Sequence, residues 1–237
     1  MQLVQTGQQG KYEINEEAFK FIRNIPEPLA IISVAGLYRT GKSYLLNRVL
    51  LNRSDGFNVG PTVNACTKGL WVWGKPIIGR NKQNELVNVL IIDSEGFGAV
   101  TEDSNHDARI FALTLLLSSC FLYNSVGSID EMAIENVGLV TNIAKSIRVR
   151  NDEGQEGREA VDFFPQFYWV LRDFTLQLTS GSGQELTAKQ YMERALELTG
   201  KDANDEKSKT RRALTSYFPE RDCITLVRPL TNEESLQ

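Results

Sequence analysis

Leu29-Ala30-Ile31-Ile32-Ser33-Val34-Ala35-Gly36-Leu37-Tyr38-Arg39-Thr40-Gly41-Lys42-Ser43-Tyr44 is the stretch whose reading decides the fold. The continuous apolar run before Gly36 suits a parallel strand buried on both faces. Residues 36–43 match G-x-x-x-x-G-K-[ST] and stand between that strand and a helix expected over residues 42–51, the setting in which the pattern cradles phosphates. The glycines let backbone N–H groups wrap the phosphates, and the helix N-terminus adds positive potential. Lys42 neutralises the outer phosphates and the Ser43 hydroxyl ligates Mg²⁺. The expected nucleotide-binding residues are therefore Gly36, Leu37, Tyr38, Arg39, Thr40, Gly41, Lys42 and Ser43, with the adjoining Tyr44.

Outward from this loop the chain alternates strands and helices. Apolar runs at residues 87–92, 167–171 and 224–227 read as further buried strands, and helices are expected over residues 14–25, 107–116, 130–150, 187–198 and 205–217. That order predicts an α/β P-loop fold, a doubly wound, mostly parallel sheet with helices on both faces. Residues 70–73 read as a short strand joined to residue 87 by a turn-rich connection, too short for a crossover, so it is the one strand expected to pair antiparallel. A single domain is expected over residues 1–237, with residues 1–13 as a polar lead.

The composition is that of an ordinary folded domain, 41% hydrophobic and 24% charged, and the formal net charge of -4 argues against nucleic acid as main partner. Three scattered cysteines fit a reducing, cytoplasmic setting, and the single His106 offers no metal cluster. The polar residues 1–10 predict no secretory leader, and the most apolar stretch, residues 110–123, is short for a bilayer, so no membrane span is expected.

A magnesium nucleotide site also needs a carboxylate at the end of a neighbouring strand. Val89-Leu90-Ile91-Ile92-Asp93 supplies it and continues as Ser94-Glu95-Gly96, a D-x-x-G pattern in which Asp93 holds the metal and the Gly96 amide meets the γ-phosphate. A loop threonine should join the metal when a γ-phosphate is present, and Thr62 and Thr67 are both candidates. Asn81-Lys82-Gln83-Asn84 lacks the aspartate of a guanine-reading N-K-x-D box and precedes the Asp93 strand, so it is set aside. Asp173, after Arg172 at the end of the strand over residues 167–171, is placed to accept two N–H bonds from a base.

The strings GLYRTGKSYLLN, TVNACTKGLWVW, DSEGFG, FALTLLLSSCFLYNS and FFPQFYWVLRDFTLQL, in this order, resemble the GTPase domain of guanylate-binding proteins, within the dynamin-like superfamily that includes atlastins. The match covers residues 26–229. The resemblance implies a GTPase that binds GTP and GDP, selects guanine through Arg172 and Asp173, holds Mg²⁺ with Ser43 and Thr67, and dimerises with nucleotide. It also implies that Arg39 is an internal arginine finger and that Lys42, Thr67 and Glu95 join it in catalysis, Glu95 through water. The family's relay serine corresponds to Ala65, Cys66 stands where better-known members carry His, and Phe97 fills the position of the water-orienting Gln of Ras-like enzymes. Two readings follow: a GTP-hydrolysing enzyme, or a GTP-switched self-association module with slow hydrolysis. The family continues past the position of Pro229 with a guanine-capping segment and a long helical region, where this sequence has only a few residues.

Overall fold

The computed structural model describes residues 1–7, 11–60, 67–98, 104–144, 164–198 and 205–228. They form two compact units, Met1–Asn124 and Ser125–Leu236.

The first unit is built on β3 (Leu29–Ala35), which pairs in parallel with β6 (Leu86–Ser94) on one side and with β7 (Cys120–Val126) on the other. Val34 stands opposite Asp93 in one ladder and Leu122 in the other. Val34, Leu90, Ile91, Ile92 and Phe121 are buried, as expected of strands covered on both faces. The other edge of β6 carries β4 (Leu70–Val72) and β5 (Ile77–Arg80), both antiparallel. The set-aside residues 81–84 are the β5–β6 turn: Asn81 Oδ1 accepts from the N–H groups of Gln83 and Glu85, and Asn84 is left-handed at φ 64°.

Several elements differ from the sequence expectation. The polar lead contains β1 (Gln2–Thr6), antiparallel to β4, and β2 (Tyr12–Ile14), antiparallel to β1, so β4 is not the one antiparallel strand. Few side chains of these two strands are apolar, but Leu3 and Val4 reach a core cluster with Ala18, Leu70, Val72, Leu90 and Ile110. β7 was hidden because its residues continue the apolar run of α3 (Ser104–Leu116), with Ser118 and Ser119 but no Gly or Pro to separate helix from strand. α1 (Glu16–Arg23) is shorter than its apolar periodicity: Asn15 caps the N–H groups of Glu17 and Ala18, and the helix stops at Asn24 ahead of Pro26.

After the phosphate loop, α2 (Lys42–Leu45) passes into a π-helical turn over Leu46–Leu50, a distortion common beside functional sites. Asn47, buried in that turn, donates to Phe57 O at 2.9 Å and accepts from Phe57 N at 2.8 Å, tying down the loop that follows.

In the second unit β8 (Gln166–Arg172) pairs in parallel with β9 (Arg221–Leu226). Trp169 is fully buried, its indole N–H donating to Ser125 Oγ at 2.9 Å. α5 (Ala188–Leu196) opens on a capping box between Thr187 and Gln190, and α6 (Glu206–Tyr217) is capped by Asp205. The expected helix over residues 130–150 is α4 (Glu131–Ala144) within the described residues; its last six positions lie outside them. α4 meets α6 where a Cβ on Gly138 would stand 2.4 Å from Thr210 Cγ2, so a larger residue there would require the Thr210 side chain to move. No helix among the described residues is long and apolar enough to cross a membrane.

Arg211 on α6 is 5% exposed, gives a forked pair of bonds to Glu131 and donates from Nε to Ala195 O at 3.1 Å. The Arg211 hydrogen bond holds the Glu131 carboxyl below its ordinary value of 4.5. A depressed carboxylate contributes stability that is present above that ordinary value and is lost as pH falls below it through the lowered folded-state value. Glu131→Ala should leave a buried guanidinium without its counter-charge and cost about 1–3 kcal/mol, less than a fully buried pair because Glu131 is half-exposed. Urea unfolding at pH 7 and pH 4 checks this: the variant's deficit should shrink at the lower pH.

Candidate functional site

The phosphate loop is shaped by its own glycines and by bonds to its carbonyls. Gly36 has φ 152° and a Cβ there would lie 2.1 Å from Asn124 O; Gly41, at φ 77°, opens the helix. Thr40 Oγ1 donates to Leu37 O at 2.8 Å, and Lys42 Nζ donates to the same carbonyl at 3.0 Å. From β7, Asn124 Nδ2 donates to Thr40 O at 3.0 Å and Thr40 Oγ1 at 2.9 Å. Asn124 is fully buried and was missed by the sequence reading, which had no strand there.

The D-x-x-G segment runs against this loop backbone to backbone. Leu37 and Phe97 form a parallel bridge, with Tyr38 N–H donating to Phe97 O at 2.9 Å and Phe97 N–H to Gly36 O at 3.3 Å. A Cβ on Gly96 would lie 2.4 Å from Tyr38 Cα and 2.6 Å from Lys42 Nζ, so the glycine is required by close approach. The Phe97 ring packs on Phe111 and Tyr123 at centroid distances of 5.5 and 6.3 Å.

Three charged side chains converge here with little water around them: Lys42 is 6% exposed, Asp93 0% and Glu95 4%. Burial pushes the Lys42 ammonium down to about 8, against the pull of Asp93 and Glu95. Burial also raises Asp93, against bonds from Ser43 and Thr67 and the Lys42 charge. Asp93 Oδ2 accepts from Ser43 Oγ at 2.6 Å and Thr67 Oγ1 at 3.1 Å, and the two hydroxyls are 3.3 Å apart. Asp93 Oδ1 is buried and has no hydrogen-bond partner among the described residues. A buried carboxylate oxygen left unmatched beside two hydroxyls is an all-oxygen donor set suited to a hard divalent cation.

Glu95 is held from the side away from this cluster. Its Oε2 accepts from Gly69 N–H at 2.8 Å and lies 3.1 Å from His106 Nε2, whose Nδ1 is 3.0 Å from the Tyr12 hydroxyl. Neither His106 nor Tyr12 was picked out from the sequence. They are 94 positions apart, and only the placement of β2 beside the start of α3 brings them together.

Of the expected site residues, the structure gathers Gly36 to Ser43, Thr67, Asp93, Glu95 and Gly96 in the first unit. Arg39 is exposed and left-handed at φ 62°, and Tyr44 stacks under Arg48, whose guanidinium carbon is 5.6 Å from the ring centroid. Thr62, Ala65 and Cys66 lie outside the described residues. Arg172 and Asp173 belong to the second unit, at the end of β8. Arg172 O accepts from Gly127 N–H at 2.7 Å, and Asp173 is left-handed at φ 54° before Phe174 returns to bond Leu226 O. A non-glycine residue in this region stores strain, a pattern frequent at recognition sites.

The sequence profile of the guanylate-binding protein N-terminal domain matches residues 9–237. The chain is 39% identical to guanylate-binding protein 1 of Chlorocebus aethiops, over 96% of this chain and 39% of that protein. It is 38% identical to guanylate-binding protein 7 of Homo sapiens, over 96% of this chain and 36% of that protein. With guanylate-binding protein 2 of Homo sapiens the identity is 39%, over 93% and 37%. The chain thus spans under two fifths of the length of these relatives. The loop at Gly36, the Asp93 strand and this similarity agree, and the chain belongs to the guanylate-binding protein family, as its N-terminal domain.

Proposed function

We propose that this domain binds GTP with Mg²⁺ and hydrolyses it to GDP and phosphate. The observation that carries the reading is the buried Asp93, whose Oδ1 has no partner among the described residues while Oδ2 gathers the hydroxyls of Ser43 and Thr67. Those three residues would hold the cation, which when bound supplies positive charge to the phosphate oxygens. Lys42 and Asp93 are both pushed toward neutrality by burial. A triphosphate would add negative charge beside Lys42, and a divalent cation positive charge beside Asp93.

Backbone amides of the loop, other than that of Tyr38, which donates to Phe97 O, bind the phosphates, and the Gly96 amide meets the γ-phosphate. Arg39 stabilises charge developing on the transferring group from an exposed position within the loop. Water attacks the γ-phosphorus in line as the bond to the β-phosphate oxygen breaks, and the water's proton passes toward Glu95. Arg172 and Asp173 read guanine. Nucleotide-dependent dimerisation belongs to the same reading, carried by the family likeness alone.

A second reading is a GTP-switched self-association module that hydrolyses slowly. It is favoured by Phe97, whose ring is committed to packing on Phe111 and Tyr123 and does not orient water. Single-turnover cleavage measured beside sedimentation in a non-hydrolysable GTP analogue separates the two: binding and dimers with cleavage near the uncatalysed rate would leave only the switch.

Arg39→Ala should lower the cleavage rate by about 10³ to 10⁵, the usual worth of an arginine finger, while analogue affinity changes little. Unchanged cleavage would remove Arg39 from the mechanism. Asp173→Asn keeps a residue that tolerates the left-handed conformation, so the backbone at φ 54° should survive. Preference should then move from guanosine toward xanthosine triphosphate, measured by competition. An unaltered preference would place base recognition elsewhere.

A further inference from the structure

We infer that His106 is a positioning residue for Glu95, itself set by the hydroxyl of Tyr12. This rests on the reading above, in which Glu95 takes up a proton from water.

Glu95 lies in the turn after β6, where a carboxylate would ordinarily swing toward solvent or toward Lys42 Nζ. It does neither freely, because the two bonds described for it, from Gly69 N–H and His106, both fall on Oε2. That leaves Oε1 as the oxygen turned to a water. For the imidazole to hold a carboxylate, Nε2 must carry a hydrogen, and Nδ1 then accepts from the Tyr12 hydroxyl at 3.0 Å. The same hydroxyl lies 3.3 Å from His106 O, a longer alternative acceptor beside Nδ1. The His106 side chain is 13% and the Glu95 side chain 3% exposed, so the bond between them is poorly screened.

The arrangement is supported from two directions. Gly69 precedes β4, and its own carbonyl accepts from Glu95 N–H at 2.9 Å, fixing the Glu95 backbone to the chain that bonds its side chain. Tyr12 sits on β2, whose Ile14, Glu13 and Tyr12 are in register with Val4, Gln5 and Thr6 of β1. The N-terminal strands therefore deliver the group that sets the histidine. Phe97 does not orient water and the Ala65 side chain has no hydroxyl, so the direction in which Glu95 points bears the more on the rate.

The experiment measures single-turnover GTP cleavage, affinity for a non-hydrolysable GTP analogue and thermal midpoint for Glu95→Gln, His106→Ala, His106→Gln, Tyr12→Phe and the Glu95→Gln/His106→Ala pair. Misplacement of a catalytic group typically costs up to about a hundredfold. His106→Ala should slow cleavage by about ten- to a hundredfold with analogue affinity within about twofold. His106→Gln, which keeps an N–H near the Nε2 position, should recover most of the loss. Tyr12→Phe should slow cleavage less than His106→Ala does, and the double variant should be no slower than Glu95→Gln alone, since coupled residues are not additive.

Full cleavage in His106→Ala beside slow Glu95→Gln overturns the inference and leaves the role of Glu95 standing. Additive losses in the double variant overturn it too, as does a fall in affinity and thermal midpoint matching the fall in cleavage. Unchanged cleavage in Glu95→Gln instead overturns the reading of Glu95 itself. If His106→Ala does not fold, Tyr12→Phe and His106→Gln decide: equal slowing in both, without rescue by glutamine, overturns the positioning role.

Discussion

The parallel ladder between β3 and β6 sets Val34 opposite Asp93, and the remainder of the site hangs on that register. Both strands end at the same level, so the loop after one and the D-x-x-G segment after the other leave the sheet side by side. Ser43, the second residue of α2, then reaches Asp93 Oδ2 at 2.6 Å. A slip of one residue would turn Asp93 to the opposite face of the sheet, because successive strand side chains alternate. The apolar packing of Val34, Leu90, Ile91 and Ile92 holds the register by making that slip expensive.

The same burial makes the site energetically tense. An ion taken out of water costs several kcal/mol unless paired and hydrogen-bonded, and Lys42, Asp93 and Glu95 are all buried. The left-handed backbone at Arg39 and Asp173 adds strain, about 1–3 kcal/mol for each such residue. These features are tolerated because hydrophobic strands on either side supply stability independently of the loops, which is the usual division between scaffold and site.

Where the physics was local, the sequence was readable. Gly36 to Ser43, the Asp93 strand and the capped helices α5 and α6 each carry their own signal within a few residues, and Leu29–Ala35 is β3 residue for residue. Long-range placement was not readable in this way. β1 gains its stability by pairing with β4 and β2 by pairing with β1, which their polar residues do not announce, and β7 merges with the end of α3 in one apolar run. Asn124, His106 and Tyr12 were lost with those strands and the helix beside them. The pair Arg172-Asp173, proposed to read the base, stood out only through family likeness, since a charged dipeptide after a strand has no distinctive pattern of its own.

Gly96 carries a mechanical implication. With no side chain between Tyr38 Cα and the Gly96 backbone, and with paired hydrogen bonds joining residues 36–38 to Phe97, the two loops are in gear rather than merely adjacent. Neither can shift by an ångström without pushing the other. A change felt at the outer phosphate would thus reach Phe97, and through its ring Phe111 on α3 and Tyr123 on β7, as a displacement rather than as a loss of order. Glycine at this position acts as the tooth of a cog, and any bulkier residue would disengage the train.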